Sequence, residues 1–302
     1  MGNLRGLSEL RNLPIRVILE LDTLIRRSFI QLPGIGVVTE RILWDSGISS
    51  WDDLVESDYL PPNISRRLPG LEKRLDECRR RLETYDGAFF QSCFPSSERW
   101  RLYADFRSRT AFLDIETTGI SPVSSYITMV GVLDTKGYTS YVTGENLEDL
   151  PECLEAYDLI VTFNGTSFDL PYLTHYFGDI FRNKAHLDLR YPLKRLGYSG
   201  GLKVIEQTAN VGRPSELAAL NGYDAVLMWR MWLNGDEGAR NTLVRYNAED
   251  VASLPELADL VHHQLQASLP LPPHTLDSWP RVIDELPYDP KVIKYLIANK
   301  QP

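Results

Sequence analysis

The chain has 302 residues, 43% of them apolar and 10% aromatic, enough to bury the core of one large domain plus a smaller one. Arg, Asp or Glu interrupts every leucine-rich stretch, so no segment approaches the roughly eighteen uncharged apolar residues that a membrane helix needs, and no membrane partner is expected. The net charge of −9 speaks against a protein that wraps nucleic acid nonspecifically, and it is unevenly spread: residues 1–108 balance 16 basic against 16 acidic residues, leaving 16 of the 32 basic and 25 of the 41 acidic residues to positions 109–302.

The first residues carry Arg5, Glu9, Arg11, Glu20 and Asp22, which fits neither the apolar block of a signal peptide nor an acid-poor transit peptide. Met1-Gly2 lacks the Ser or Thr of a myristoylation signal, since Gly6 stands there. Cys78, Cys93 and Cys153 are odd in number and widely spaced, which argues against a disulfide framework or zinc site and for a reducing, cytoplasmic setting.

In chain order, residues 1 to 27 read as an amphipathic helical leader interrupted by Pro14. A Leu32-Pro-Gly-Ile-Gly36 turn then leads into a helix over Val37 to Trp44. Ser49 or Ser50 is placed to cap a following helix whose first turn holds Asp52 and Asp53. After Pro61-Pro62, the spacing of Leu71, Leu75, Cys78, Leu82 and Tyr85 marks one face of a helix, and Arg79 to Arg81 on the other face read as a solvated face paired with Asp76 and Glu77, with added phosphate contacts as the alternative. These elements make a small all-α domain over residues 1–108.

From Ala111 the pattern becomes α/β. Ala111 to Thr117, Tyr126 to Leu133 and Tyr138 to Thr143 read as strands, the last two joined by the Asp134-Thr-Lys-Gly137 turn. A helix over Leu147 to Tyr157, a buried strand over Leu159 to Asn164, a helix over Asp169 to Phe177 and a short strand over His186 to Leu189 follow. Helical segments near Leu202 to Asn210 and Tyr223 to Leu233 precede a long helix from about Asn241 to Gln266, giving a mixed sheet flanked by helices over residues 109–268. The Pro-rich exit at Leu269 to Pro273 begins a C-terminal tail, residues 269–302, with a final helix at Pro290 to Ala298.

Three short segments carry the candidate chemistry. Asp114 and Glu116 stand two apart on a strand, so they project from one face while Ile115 points to the other. Adjacent carboxylates repel and raise each other's proton affinity unless a cation sits between them. Asp169 follows an Asn164-Gly165 turn at a helix start, where an acid also suits the helix dipole. Tyr246 and Asp250 are four apart and share a helix face. Each segment alone has an ordinary structural reading as a cap or a solvated pair.

Taken in order, Asp-x-Glu, Phe-Asn-Gly-x-x-Phe-Asp-x-Pro-Tyr-Leu and Tyr-x-x-x-Asp resemble the three motifs of the DEDDy exonucleases in the ribonuclease H-like superfamily. The pattern is similar to the proofreading domains of family B DNA polymerases and more so to the bacterial YprB-like group, which also shows segments like Gly201-Leu-Lys-Val-Ile-Glu206 and Tyr246-Asn-Ala-Glu-Asp250. The resemblance spans about residues 109 to 266 and implies a ribonuclease H-like fold with 3′-to-5′ exonuclease activity on a single-stranded DNA or RNA end. It further implies two divalent cations, Mg²⁺ or Mn²⁺, held by Asp114, Glu116, Asp169 and Asp250, with Tyr246 orienting the attacking water.

Leu32 to Gly36 resembles a helix-hairpin-helix element over residues 29–55, which implies Gly34 and Gly36 as nucleic-acid backbone contacts, although Val37 and Val38 stand where a basic residue is wanted. Asn164 and Lys203 are further candidate nucleic-acid contacts. His262 and His263 are adjacent on one helix and diverge, so they offer no rival metal set. A catalytically silent nucleic-acid-binding scaffold and a structure-selective endonuclease are the alternatives on the same fold.

Overall fold

A computed structural model describes residues 23–212, 215–279, 283 and 285–300. The helical leader expected over residues 1 to 27 therefore lies almost wholly outside the described residues. Helices α1 (Leu24–Arg27), α2 (Val37–Asp45), α3 (Trp51–Glu56), α4 (Pro62–Ser65), α5 (Leu68–Glu83) and α6 (Gly87–Cys93) come first. A 3-10 turn (Ser96–Arg101) and α7 (Leu102–Phe106) lead into the sheet. The Ser50 side chain caps α3 through Asp53 N–H, and Asp53 in return accepts from Ser49 N–H, so both serines serve that helix start. On α5, Leu71, Leu75, Cys78 and Leu82 face the core, while Arg79 pairs with Asp76 and Asp52 and Arg81 with Glu77 and Asp86.

Strands β1 (Thr110–Thr117), β2 (Ile127–Asp134) and β3 (Gly137–Val142) form an antiparallel meander. After α8 (Leu150–Leu154) comes β4 (Leu159–Thr162), then α9 (Asp169–Phe177) and β5 (Ala185–Asp188). The sheet runs β3-β2-β1-β4-β5, with β4 parallel to both β1 and β5. This is the mixed sheet of a ribonuclease H-like fold. Helices α10 (Arg190–Arg195), α11 (Leu202–Ala209), α12 (Ser215–Ala218), α13 (Gly222–Leu233), α14 (Glu237–Gln266) and α15 (Pro290–Ala298) complete the chain.

Among the differences from the sequence expectations, three have a clear local cause. The helix expected over Leu147 to Tyr157 shrinks to a 3-10 turn plus α8, because Pro151 suits only a first turn. Helix α14 begins four residues early, where Asp236 accepts from Ala239 N–H and sets the cap. Helix α10 was not anticipated, since a single six-residue turn holding Pro192 shows no apolar period.

Strand alternation sorts β1 between two layers. Ala111, Leu113 and Ile115 join Leu150, Leu154, Tyr172 and Leu173 on one face, and Phe112, Asp114 and Glu116 turn to the other. That second face is covered by α14, which lies across β1, β2 and β3. The helices before residue 109 share a continuous apolar cluster with it, running from Leu24 and Trp51 through Phe106 and Phe112 to Val251 and Val261.

Candidate active site

The Asp-x-Glu pair sits on the central strand of a five-stranded sheet, beneath α14, the helix that crosses the meander. Asp250 on α14 descends onto it. Asp114, Glu116 and Asp250 each bring one carboxylate oxygen to within 4.8 Å of the others. Glu116 and Asp250 are only 7% and 8% exposed, and Asp114 is half-buried. At such spacing each charged pair repels by on the order of 3 kcal/mol even at an effective dielectric near 20. Burial pushes the Glu116 pKa well above the usual carboxylate range, and Asp250 adds to that rise, while an Asn247 hydrogen bond and Lys203 oppose it.

The donor set fits a hard divalent cation. Oxygens around a Mg²⁺-sized ion lie up to roughly 4 Å apart, so a small inward adjustment would bring the three carboxylates into one such shell, leaving the other positions to water or substrate. These residues would supply three of the oxygen ligands, and the ion would replace their mutual repulsion with attraction.

Asp169 stands apart from that trio. It opens α9, is 2% exposed, and accepts from Ile115 N–H at 3.2 Å, which locks it against β1 between the two motif carboxylates. Burial pushes its pKa up to about 7, opposed by backbone donors and aided by Asp188. Tyr246 lies one turn before Asp250 and is buried, with the Lys203 ammonium 4.6 Å from its ring centre. Lys203 also donates to the Leu220 carbonyl, and its neighbour Glu206 is buried rather than solvent-facing. Asn164 adopts a left-handed φ of 65° and accepts through Oδ1 from Arg190. Gly34 and Gly36 lie in the turn before α2; Gly34 has φ 71°, and the carbonyls of Pro33 and Gly34 accept from Arg67.

Three residues, Asn247, Tyr138 and Gly131, escaped the sequence reading. Asn247 is fully buried and donates through Nδ2 to Asp114 Oδ2 at 2.9 Å. The Tyr138 hydroxyl on β3 donates to Asn247 Oδ1, also at 2.9 Å, so a phenol, an amide and a carboxylate are strung together across the sheet. Gly131 is the register partner of Asp114, and a Cβ there would collide with Asn247 Oδ1 and press on the Tyr138 ring. Asp188, the last residue of β5, holds the Asn164 turn: Oδ1 accepts from Asn164 N–H at 2.8 Å and Oδ2 from Thr166 N–H at 3.0 Å. Of these, only Asn247 carried a usable signal, its position beside Tyr246 on the same turn as Asp250.

Among solved structures, the chain is similar to a family B DNA polymerase from Pyrobaculum calidifontis, with 21% identity over 50% of this chain and 24% of the polymerase, at a TM-score of 0.42. It is also similar to Brucella melitensis NrnC with bound Mg²⁺, at 18% identity over 55% of this chain and 77% of NrnC, TM-score 0.38. The same protein bound to pGG matches over the same shares at a TM-score of 0.36. The chain thus spans about a quarter of the polymerase's length. No curated protein matches at a significant level. The family model of the RNase_H superfamily, in contrast, matches residues 111–262, half of the chain and all five strands but for one residue of β1, and the chain belongs to that superfamily.

Proposed function

We propose that the chain is a metal-dependent 3′-to-5′ exonuclease of the DEDDy type, hydrolysing phosphodiester bonds of single-stranded DNA or RNA and releasing nucleoside 5′-monophosphates. The observation that carries this reading is the convergence of Asp114, Glu116 and Asp250 within 4.8 Å on a face roofed by α14. Two Mg²⁺ or Mn²⁺ ions would supply Lewis-acid stabilisation of the attacking and leaving oxygens. Asp114, Glu116 and Asp250 would hold one ion, with Asp114 shared and Asp169 serving the second through water. Tyr246 orients the attacking water. The YprB-like likeness and the division into a helical module, residues 1–108, a nuclease domain, 109–268, and a tail, 269–302, belong to the same reading. So does a helix-hairpin-helix role for the turn at Gly34 and Gly36.

The test is degradation of end-labelled single-stranded DNA and RNA in Mn²⁺ or Mg²⁺, comparing the wild type with Asp114→Asn. Stepwise shortening of 5′-labelled linear strands, protection by a 3′ block and resistance of circles are expected. Cleavage of circles would replace exonuclease by endonuclease, and equal activity in Asp114→Asn would remove the site assignment.

A further inference from the structure

Helix α10 presents Arg190, Tyr191, Lys194 and Arg195 to solvent while Pro192 and Leu193 pack inward. It belongs to a stretch, residues 189 to 205, that contains four basic residues and no acidic one in a chain of net charge −9. Two hollows flank it and share Tyr191 as a common wall. The first, about 470 Å³, is bounded by Arg99, Thr166, His186, Asp188, Tyr191 and Arg195. The second, about 730 Å³, is bounded by Asn164, Arg190, Tyr191, Lys194 and Tyr198. Thr166 lines the first hollow and Asn164 the second, and both belong to the turn between β4 and α9, the helix that Asp169 opens.

The charge in the first hollow is unbalanced in a specific way. Arg99 is half-buried, its Nε is shielded from solvent without a hydrogen-bond acceptor, and it forms no ion pair among the described residues. Burial pushes its pKa down, the signature of a guanidinium lacking a compensating anion. The nearby acids are committed elsewhere: Asp188 accepts from the Asn164, Thr166 and Arg190 N–H groups, and Glu98 is held by Arg101 and Arg195. His186 is neutral near pH 7, since burial pushes its pKa down to about 4. A half-buried Arg without an acceptor costs free energy that an entering phosphate would recover.

We infer that the surface over α10 is a strand-binding track, on which a single-stranded nucleic acid lays a backbone phosphate into the Arg99 hollow and stacks a base on Tyr191, with Lys194 meeting a further phosphate. This rests on the nuclease reading for its orientation toward the active site, and it names where the strand leading to that site lies. Exposed aromatic and basic groups alternating along one face are the general means of holding single strands without reading sequence.

The experiment measures fluorescence anisotropy of fluorescein-labelled (dT)15 and (rU)15 in EDTA, where no metal-dependent cleavage occurs, against salt concentration. Lys194→Glu and Arg99→Gln should each weaken binding about tenfold. Each should also lower the slope of log Kd against log salt by ~0.7, one phosphate contact on a single strand. Tyr191→Ala should weaken binding at least about fivefold with the slope unchanged. If Arg99→Gln melts below the assay temperature, Lys194→Glu and Tyr191→Ala, both at exposed positions, carry the test. Unchanged affinity and slope in those two overturn the track. A wild type that binds through Lys194 and Tyr191 yet hydrolyses nothing would sink the nuclease reading alone, whereas normal hydrolysis with unaltered binding would sink the track alone.

Discussion

Two of the buried acid clusters among the described residues are built in opposite ways. Among the helices before residue 109, Glu40 is fully buried and accepts from Phe29 N–H, and Arg101 bridges it at 2.9 Å to Glu98 at 2.8 Å. Burial lifts the Glu40 pKa, and the largest opposing influence is the Arg101 guanidinium. In the sheet, Glu116 is buried to a similar depth, but the largest influence after burial is another carboxylate, Asp250, pushing the same way. The first cluster is complete as folded. The second gains by taking up a cation, and that difference separates a structural ion-pair network from a site with a job to do.

The contrast breaks most visibly at Asp114 and Asp250. Replacing either by Asn should reduce hydrolysis by at least about 10³-fold, because the loss of a ligand forfeits several kcal/mol of charge stabilisation. The melting temperature in EDTA should hold or rise, since a repulsive charge is gone. A large drop in that temperature would make the acids structural after all. At the other cluster the signs reverse: Arg101→Met should cost about 3–5 kcal/mol in urea unfolding by stranding Glu40 and Glu98. A loss below about 1 kcal/mol would mean that the network adds nothing.

A smaller effect is expected one layer out. Asn247→Ala should lower kcat about 10- to 100-fold and raise the Mn²⁺ concentration needed for half activity. Tyr138→Phe, which keeps the ring and removes only the hydroxyl, should do so less. Wild-type kcat in Asn247→Ala would show that Asp114 needs no orienting partner.

The smallest effect is a pH dependence. The Asp169 pKa is raised to about 7 in the folded chain, so its protonated form is favoured by folding. Its contribution is fully present below the unfolded value near 4 and is lost as pH rises through about 7. In EDTA the wild type should therefore melt lower at pH 8 than at pH 5, and Asp169→Asn should flatten that slope. Mg²⁺ or Mn²⁺ at pH 8 should raise the melting temperature of the wild type and leave Asp114→Asn nearly unmoved. A slope that persists unchanged in Asp169→Asn would place its origin elsewhere.

What could be read from the sequence follows from what periodicity encodes. Alternation on β1 put Asp114 and Glu116 on one face, and the four-residue step put Tyr246 and Asp250 on one side of α14, because both relations are set by local backbone geometry. The mixed sheet flanked by helices followed from the alternation of strand-like and helix-like runs, while the strand order did not. The Tyr138–Asn247 bond joins positions 109 residues apart, and no spacing rule announces it. The role of Asp188 is equally non-local, since it receives N–H groups from a turn more than twenty residues earlier. Helix α10 was invisible because Arg, Tyr and Lys fill its outward face and only Pro192 and Leu193 are buried.

Gly131 has no side chain to offer, yet the space it leaves is what Asn247 occupies on its way to Asp114. A methyl group at that point would be felt as a misaimed carboxylate on the neighbouring strand, with fold and charge otherwise intact. In a saturation screen scored for activity, position 131 should be as intolerant as Asp114 itself, and a second change that shortens Asn247 should relieve the crowding without restoring the turnover. An inventory of reactive groups would pass over such a position, whereas a map of mutational tolerance would mark it.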